Sequence, residues 1–168
     1  MLENFTRLIA ESELRESVIW MLMNVPGLPP ILQSIHILAV AALVGTVCMT
    51  QLRILGVAVR IQDPSEMVRR YLPWFLWSVV IALTSGIAFV IARPARYFLN
   101  PVAHWKFFCL MLAVGLTLFL FMRERKLPGF CKTRVWLARI YAIAGLVAWT
   151  GVIFAGRWIA YVDYLYWE

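Results

Sequence analysis

Only two histidines occur in this 168-residue chain, and each stands near the start of a long apolar run. His36 lies in ILQSIHILAVAALVGTVCMTQLRILG (31–56), where Arg53 is the only other basic side chain. His104 follows Pro101 by three residues in NPVAHWKFFCLMLA, with Lys106 two positions further on. An ionisable side chain inside a membrane-spanning run is by default a functional-site hypothesis. Two neutral imidazoles on different helices can ligate one haem iron axially, while neighbouring cations pair with its propionates. The expected site is therefore His36 and His104 on a b-type haem iron, with Lys106, Arg157, Arg93 and Arg96 supplying positive charge in the same layer. A ring left facing lipid would cost a few kcal/mol in unsatisfied nitrogens. His36 is accordingly expected to face the bundle interior, toward the third span, with Lys106 or Arg157 near it.

Plainer readings compete for each residue. His36 can be a hydrogen-bonding residue, to Gln33 one turn earlier or to a neighbouring helix. His104 can be an interfacial residue beside Trp105 and Lys106. A bare transition-metal site lacks a third ligand at helical spacing, and Met111, on the face of His104, reads as packing.

The elements that must position these residues follow from composition. Hydrophobic residues make up 62% of the chain and charged residues 15%, a balance of an integral membrane protein. Four runs reach the ~20 residues needed to cross a hydrocarbon layer, at about 31–52, 71–92, 103–122 and 137–155. They are continuous, without the alternation of barrel strands. The fold class is all-α: one domain, a four-helix membrane bundle. Prolines 29, 30, 64, 73, 94, 101 and 128 are read as marking the boundaries, and aromatic residues from Trp74 to Tyr164 and Trp167 gather at the ends of the spans.

Orientation follows from the short loops. The first connection holds Arg53, Arg60, Arg69 and Arg70, and the third Arg123, Arg125, Lys126, Lys132 and Arg134. Both are expected in the cytoplasm, which puts both termini and both histidines on the periplasmic side. Topology accounts for most of the net charge of +7, so nucleic acid is not a partner this chain calls for. Residues 1–24 begin acidic and polar, unlike a cleavable signal. Leu2, Phe5 and Ile9 share one helical face and Leu14, Val18 and Leu22 another, with Ser12 placed to cap the second piece. An amphipathic helix on the outer membrane surface is expected there. Ser78, Ala82 and Gly86 on span two, and Gly151 with Ala155 on span four, allow close helix approach. Gly45 is expected at a helix contact away from His36. Cys48, Cys109 and Cys131 form no recognisable metal or disulfide pattern.

The N-terminal helix, the proline before span one, and the stretches IHILAVAALVG, QLRILG, NPVAHWKFFCLMLA and AGRWIAY together resemble an uncharacterised family of small bacterial four-span inner-membrane proteins. His36, Gly45, Leu52, Arg53, Gly56, Lys106, Gly156 and Arg157 match its recurring positions. Through a histidine early in a span followed by a glycine, the chain is also distantly similar to the copper-resistance D membrane domain and to b561-type cytochromes. The b561 pattern carries more histidines for two haems, so the resemblance implies at most one bis-histidine haem here. Three functions fit: a haem electron carrier between a periplasmic partner and quinone, a non-catalytic membrane anchor or assembly subunit, and a small metal or solute transporter.

Overall fold

The computed structural model describes residues 2–165, with side chains over 4–159 and at Tyr161. Within them the chain is helical between short connections: α1 (Leu2–Ala10), α2 (Glu13–Asn24), α3 (Leu28–Leu55), α4 (Pro64–Ala92), α5 (Pro94–Phe98), α6 (Pro101–Lys126), α7 (Phe130–Thr133) and α8 (Val135–Leu165). Four of these, α3, α4, α6 and α8, are long and apolar enough to cross a membrane, with mean hydropathies of 2.0, 2.3, 2.0 and 1.7 over their best stretches. The protein is a multi-pass, all-helical membrane protein. Trp167 and the side chains of Leu2, Tyr164 and the other terminal aromatics lie outside the described residues.

Each span is longer than the apolar run that foretells it, because capping lies in the polar flanks. Asp63 caps α4 by accepting from the Ser65 amide at 2.9 Å, and Asn100 caps α6 by accepting from the Val102 amide at 2.9 Å. Pro64 and Pro101 then occupy the first helical positions, where a missing N–H costs nothing. Pro29 and Pro30 likewise belong to α3 rather than preceding it. Pro73 does not mark a start: it sits inside α4 on an exposed face. The break at Ser12 is where the periodicity put it, with the Ser12 side chain accepting from the Arg15 amide at 3.3 Å.

The four spans form a square. α3 packs on α4 and α8, α6 packs on α8 and α4, and α3 and α6 take opposite corners. The central apolar cluster joins Leu43 and Val47 of α3, Val68 and Phe75 of α4, Ala113 and Phe121 of α6, and Trp149 of α8. Phe75 meets Phe121 edge-on at 5.6 Å between centroids and Trp149 at 6.5 Å. A second cluster, Ile54, Leu120, Cys131, Ala138 and Ala142, lies toward the end that carries the basic loops. Between them sits a buried polar layer in which Thr117 Oγ1 accepts from Trp149 Nε1 at 3.1 Å and from Gln51 Nε2 at 3.4 Å. Gly145 makes room for that amide, since a Cβ there would stand 2.5 Å from Gln51 Nε2. Gly45 has no such neighbour: it is exposed, and a Cβ would meet nothing within 4 Å, so the helix contact expected of it is not made.

The basic end is closed by a buried carboxylate. Glu124, 1% exposed, accepts from the Gly129 amide at 2.9 Å, the Cys131 amide at 2.7 Å and the Ser65 hydroxyl. Gly129 can present its N–H because its backbone takes φ +89°, which L side chains resist. One side chain thus ties the end of α6 to α7 and to the start of α4.

Candidate functional site

At the opposite end the large apolar side chains of the two clusters give way to small and polar ones. His36 lies about two turns into α3 and Ser85 about two turns from the end of α4, so the antiparallel pair brings them level. His36 Nδ1 and Ser85 Oγ are 2.9 Å apart. The Ser85 hydroxyl also donates to the Ile81 carbonyl at 2.6 Å, which commits its single proton. With that proton so placed, the serine oxygen accepts from the tautomer that carries its hydrogen on Nδ1, in which Nε2 of the neutral ring presents a lone pair. Gly86 seats the imidazole: a Cβ there would stand 3.2 Å from His36 Cε1. His36 is therefore half-buried and off the lipid, but it turns onto the second span, not the third as expected, because Ser85 and Gly86 supply both a partner and a space.

The third span contributes through charge. Lys106, a little over one turn into α6, is half-buried and lies along Gly156 of α8, whose added Cβ would stand 3.6 Å from Lys106 Cε and 3.8 Å from Nζ. It lies at the same end of the bundle as His36, since α3 and α6 both begin there. No carboxylate pairs with Lys106 among the described residues. One turn further along, Cys109 Sγ fits against Gly151 of α8 in the same manner, 3.1 Å from where a Cβ would be. Small residues on α4 and α8 thus act as notches that receive functional side chains from α3 and α6.

The remaining expected residues are placed elsewhere. His104 is exposed, and its Nε2 donates to the Phe98 carbonyl at 2.9 Å, clamping α5 to α6. Phe98 in turn meets Phe5 of α1 edge-on at 5.4 Å, so the same carbonyl-bearing segment holds the N-terminal helix. Arg157 is exposed and folds along its own helix, donating to the Tyr161 hydroxyl at 3.1 Å with its guanidinium 5.4 Å from that ring centre. Arg93 is exposed at the α4–α5 junction and Arg96 half-buried on α5. Of the six expected residues, His36 and Lys106 are the half-buried pair on the spans at this end, His36 against α4 and Lys106 against α8. A haem held by both imidazoles would use His36 Nε2 and would need His104 either to turn its Nδ1 inward or to release Phe98. No group of three or more His, Cys, Asp or Glu side chains converges among the described residues. Ser85 escaped the sequence reading because a serine in a span ordinarily bonds its own helix, as this one also does.

Fold and site together define a multi-pass helical membrane protein with one polar layer near an end of the bundle. The chain belongs to a family of unknown function (DUF6644), which its residues 28–162 match, covering all four spans. No curated protein and no solved structure is significantly similar to it, so the likeness to the copper-resistance D domain and b561-type cytochromes finds no support.

Proposed function

We propose that the protein is a bacterial inner-membrane subunit that binds the head group of a lipid-soluble quinone between His36 and Lys106, on behalf of a periplasmic redox partner. The observation that carries this reading is the half-buried Lys106 ammonium, at the same end of the bundle as His36 and with no carboxylate beside it among the described residues. An unpaired cation in an apolar layer favours a ligand oxygen bearing negative charge. His36 Nε2, left as an acceptor by the Ser85 contact, suits a quinol hydroxyl, and Lys106 suits the carbonyl or oxyanion of the same head. The basic loops favour a cytoplasmic location for the opposite end and, with it, a site in the outer leaflet. The isoprenoid tail of a quinone would lie along the lipid-facing sides of the spans.

A short-chain benzoquinone titrated into the protein in lipid nanodiscs tests this, read by quenching of Trp105 and Trp158, both exposed at that end. Saturable quenching is expected, weakened about tenfold or more by His36→Ala or Lys106→Gln, the scale of one charge-assisted hydrogen bond. Linear, unsaturable quenching, equal in the variants, removes the quinone reading and leaves the anchor role in front. Haem is the narrower form of the electron-transfer proposal: it would supply one-electron chemistry to the same layer, held by His36 and His104. Sharp reduced-state bands of a low-spin b-type centre support it, and colourless protein after expression with ample haem rejects it.

A further inference from the structure

We propose that the groove between the end of α6 and the start of α8, at the basic end of the bundle, is a binding site for one anionic phospholipid. The groove encloses about 420 Å³ and is lined by Phe119, Arg123, Leu127, Phe130, Arg134 and Leu137 among others. Its two cations are uncompensated because the acidic side chains at this end are already engaged. Asp63 is paired with Lys132, Glu66 with Arg70 at 2.6 Å, and Glu124 with the loop amides. Arg53 and Arg60 are likewise occupied, on the Gln62 and Gly56 carbonyls. Arg123 and Arg134 remain exposed with no carboxylate partner among the described residues, so both are open to an anion from outside the chain.

The walls decide which anion. Phe119 packs against Tyr141 at 4.6 Å between centroids, tilted by 33°, and carries the Arg123 guanidinium 5.3 Å from its own ring centre. Leu127 and Leu137 are 55% and 46% exposed within the same groove. Two guanidiniums at the mouth and an apolar floor reaching into a span match a phosphate diester that carries acyl chains. Guanidiniums bind phosphate oxygens in pairs, and basic pockets between spans are suited to acidic lipid heads. A free phosphate ion would leave the apolar floor wet.

The test uses the full chain in mixed micelles containing phosphatidylglycerol or phosphatidylcholine of the same acyl chains, with retained lipid counted by native mass spectrometry. The protein should keep about one phosphatidylglycerol and release phosphatidylcholine. Arg123→Gln with Arg134→Gln should lower that retention at least about tenfold, while Arg60→Gln with Arg69→Gln, an equal charge change outside the groove, should leave it unchanged. Leu127→Glu guards against a folding artefact: with both arginines in place, its carboxylate should expel the lipid from a bundle that melts normally. Millimolar inorganic phosphate should displace nothing. Equal retention of the two lipids, equal loss in the control pair, or displacement by inorganic phosphate would each overturn the proposal.

Discussion

Replacing Glu124 by glutamine changes one atom and removes one charge, yet it strikes the most heavily bonded side chain at the basic end. The carboxylate offers acceptors on both oxygens: Oε1 to the Gly129 amide and the Ser65 hydroxyl, Oε2 to the Cys131 amide. Glutamine can satisfy only one of these sites with its carbonyl. The two-donor site will take it, which turns the NH₂ group against the Cys131 amide and leaves a buried donor facing a donor. A lost charge-assisted bond together with an orphaned amide costs about 2–3 kcal/mol, even after the cheaper burial of a neutral group is allowed for. At roughly 2–4 °C per kcal/mol for a chain of this size, the melting temperature should fall by about 4–12 °C. Thermal unfolding in detergent, followed by fluorescence of the buried Trp149, measures this. Ser65→Ala should cost less, because the Gly129 and Cys131 amides keep their acceptor. A Glu124→Gln protein that melts with the wild type would refute the reasoning that this carboxylate fastens the loop.

The same region gives two further outcomes. Burial, reinforced by Glu124 and Asp63, pushes the Cys131 thiol well above the usual range; in a Cys48→Ser, Cys109→Ala background it should resist maleimide at pH 8 and react on unfolding, and rapid labelling of the folded protein would contradict its burial. The Lys132 ammonium and then the Ser65 amide hold the Asp63 carboxyl below its ordinary value. A depressed folded value means this stabilisation is present above the unfolded value, near 3.9, and is lost as pH falls through the folded one. Asp63→Asn should therefore flatten the acid limb of a stability–pH curve, by a small amount because the pair is exposed; an unchanged limb would count against the pairing. Val59, at φ +51°, holds a conformation costly for a β-branched residue, so Val59→Gly should be neutral or stabilising despite the added chain entropy. A clear loss of stability there would mean the side chain contributes more than the strain it bears.

The four spans were readable because a helix in lipid must be long and apolar throughout, and those two properties are one-dimensional. Their ends were not, because Asp63 and Asn100 act through caps that hydropathy ignores, and because a proline at a first helical position looks the same in sequence as one that breaks a helix. Pro73 is the clear case: seven helical residues, Pro64 to Arg70, precede the run that suggested a start there. Depth was legible and direction around the helix was not. His36, Lys106 and Arg157 were rightly placed toward one end, but Arg157 lies along its own Tyr161 while Lys106 lies along Gly156. The choice rests on a notch in another span, which spacing within one helix does not reveal. Glu124, inside RERKLPG, has no part in the sequence reading, which takes only the basic residues of that loop. Its signal was contrast, a lone carboxylate among like-charged neighbours, immediately before a proline–glycine turn whose amides need an acceptor.

Photolabelling in native membranes addresses the central claim most directly. An azidobenzoquinone with a short isoprenoid tail should attach to peptides from the His36-bearing half of α3, the end of α4 around Ser85, and the first turns of α6 around Lys106. Unlabelled quinone should suppress that labelling, and His36→Ala or Lys106→Gln should abolish it while leaving the protein's melting temperature within a few degrees of the wild type. Label spread over lipid-facing residues of all four spans, indifferent to competitor and to both substitutions, would contradict the account.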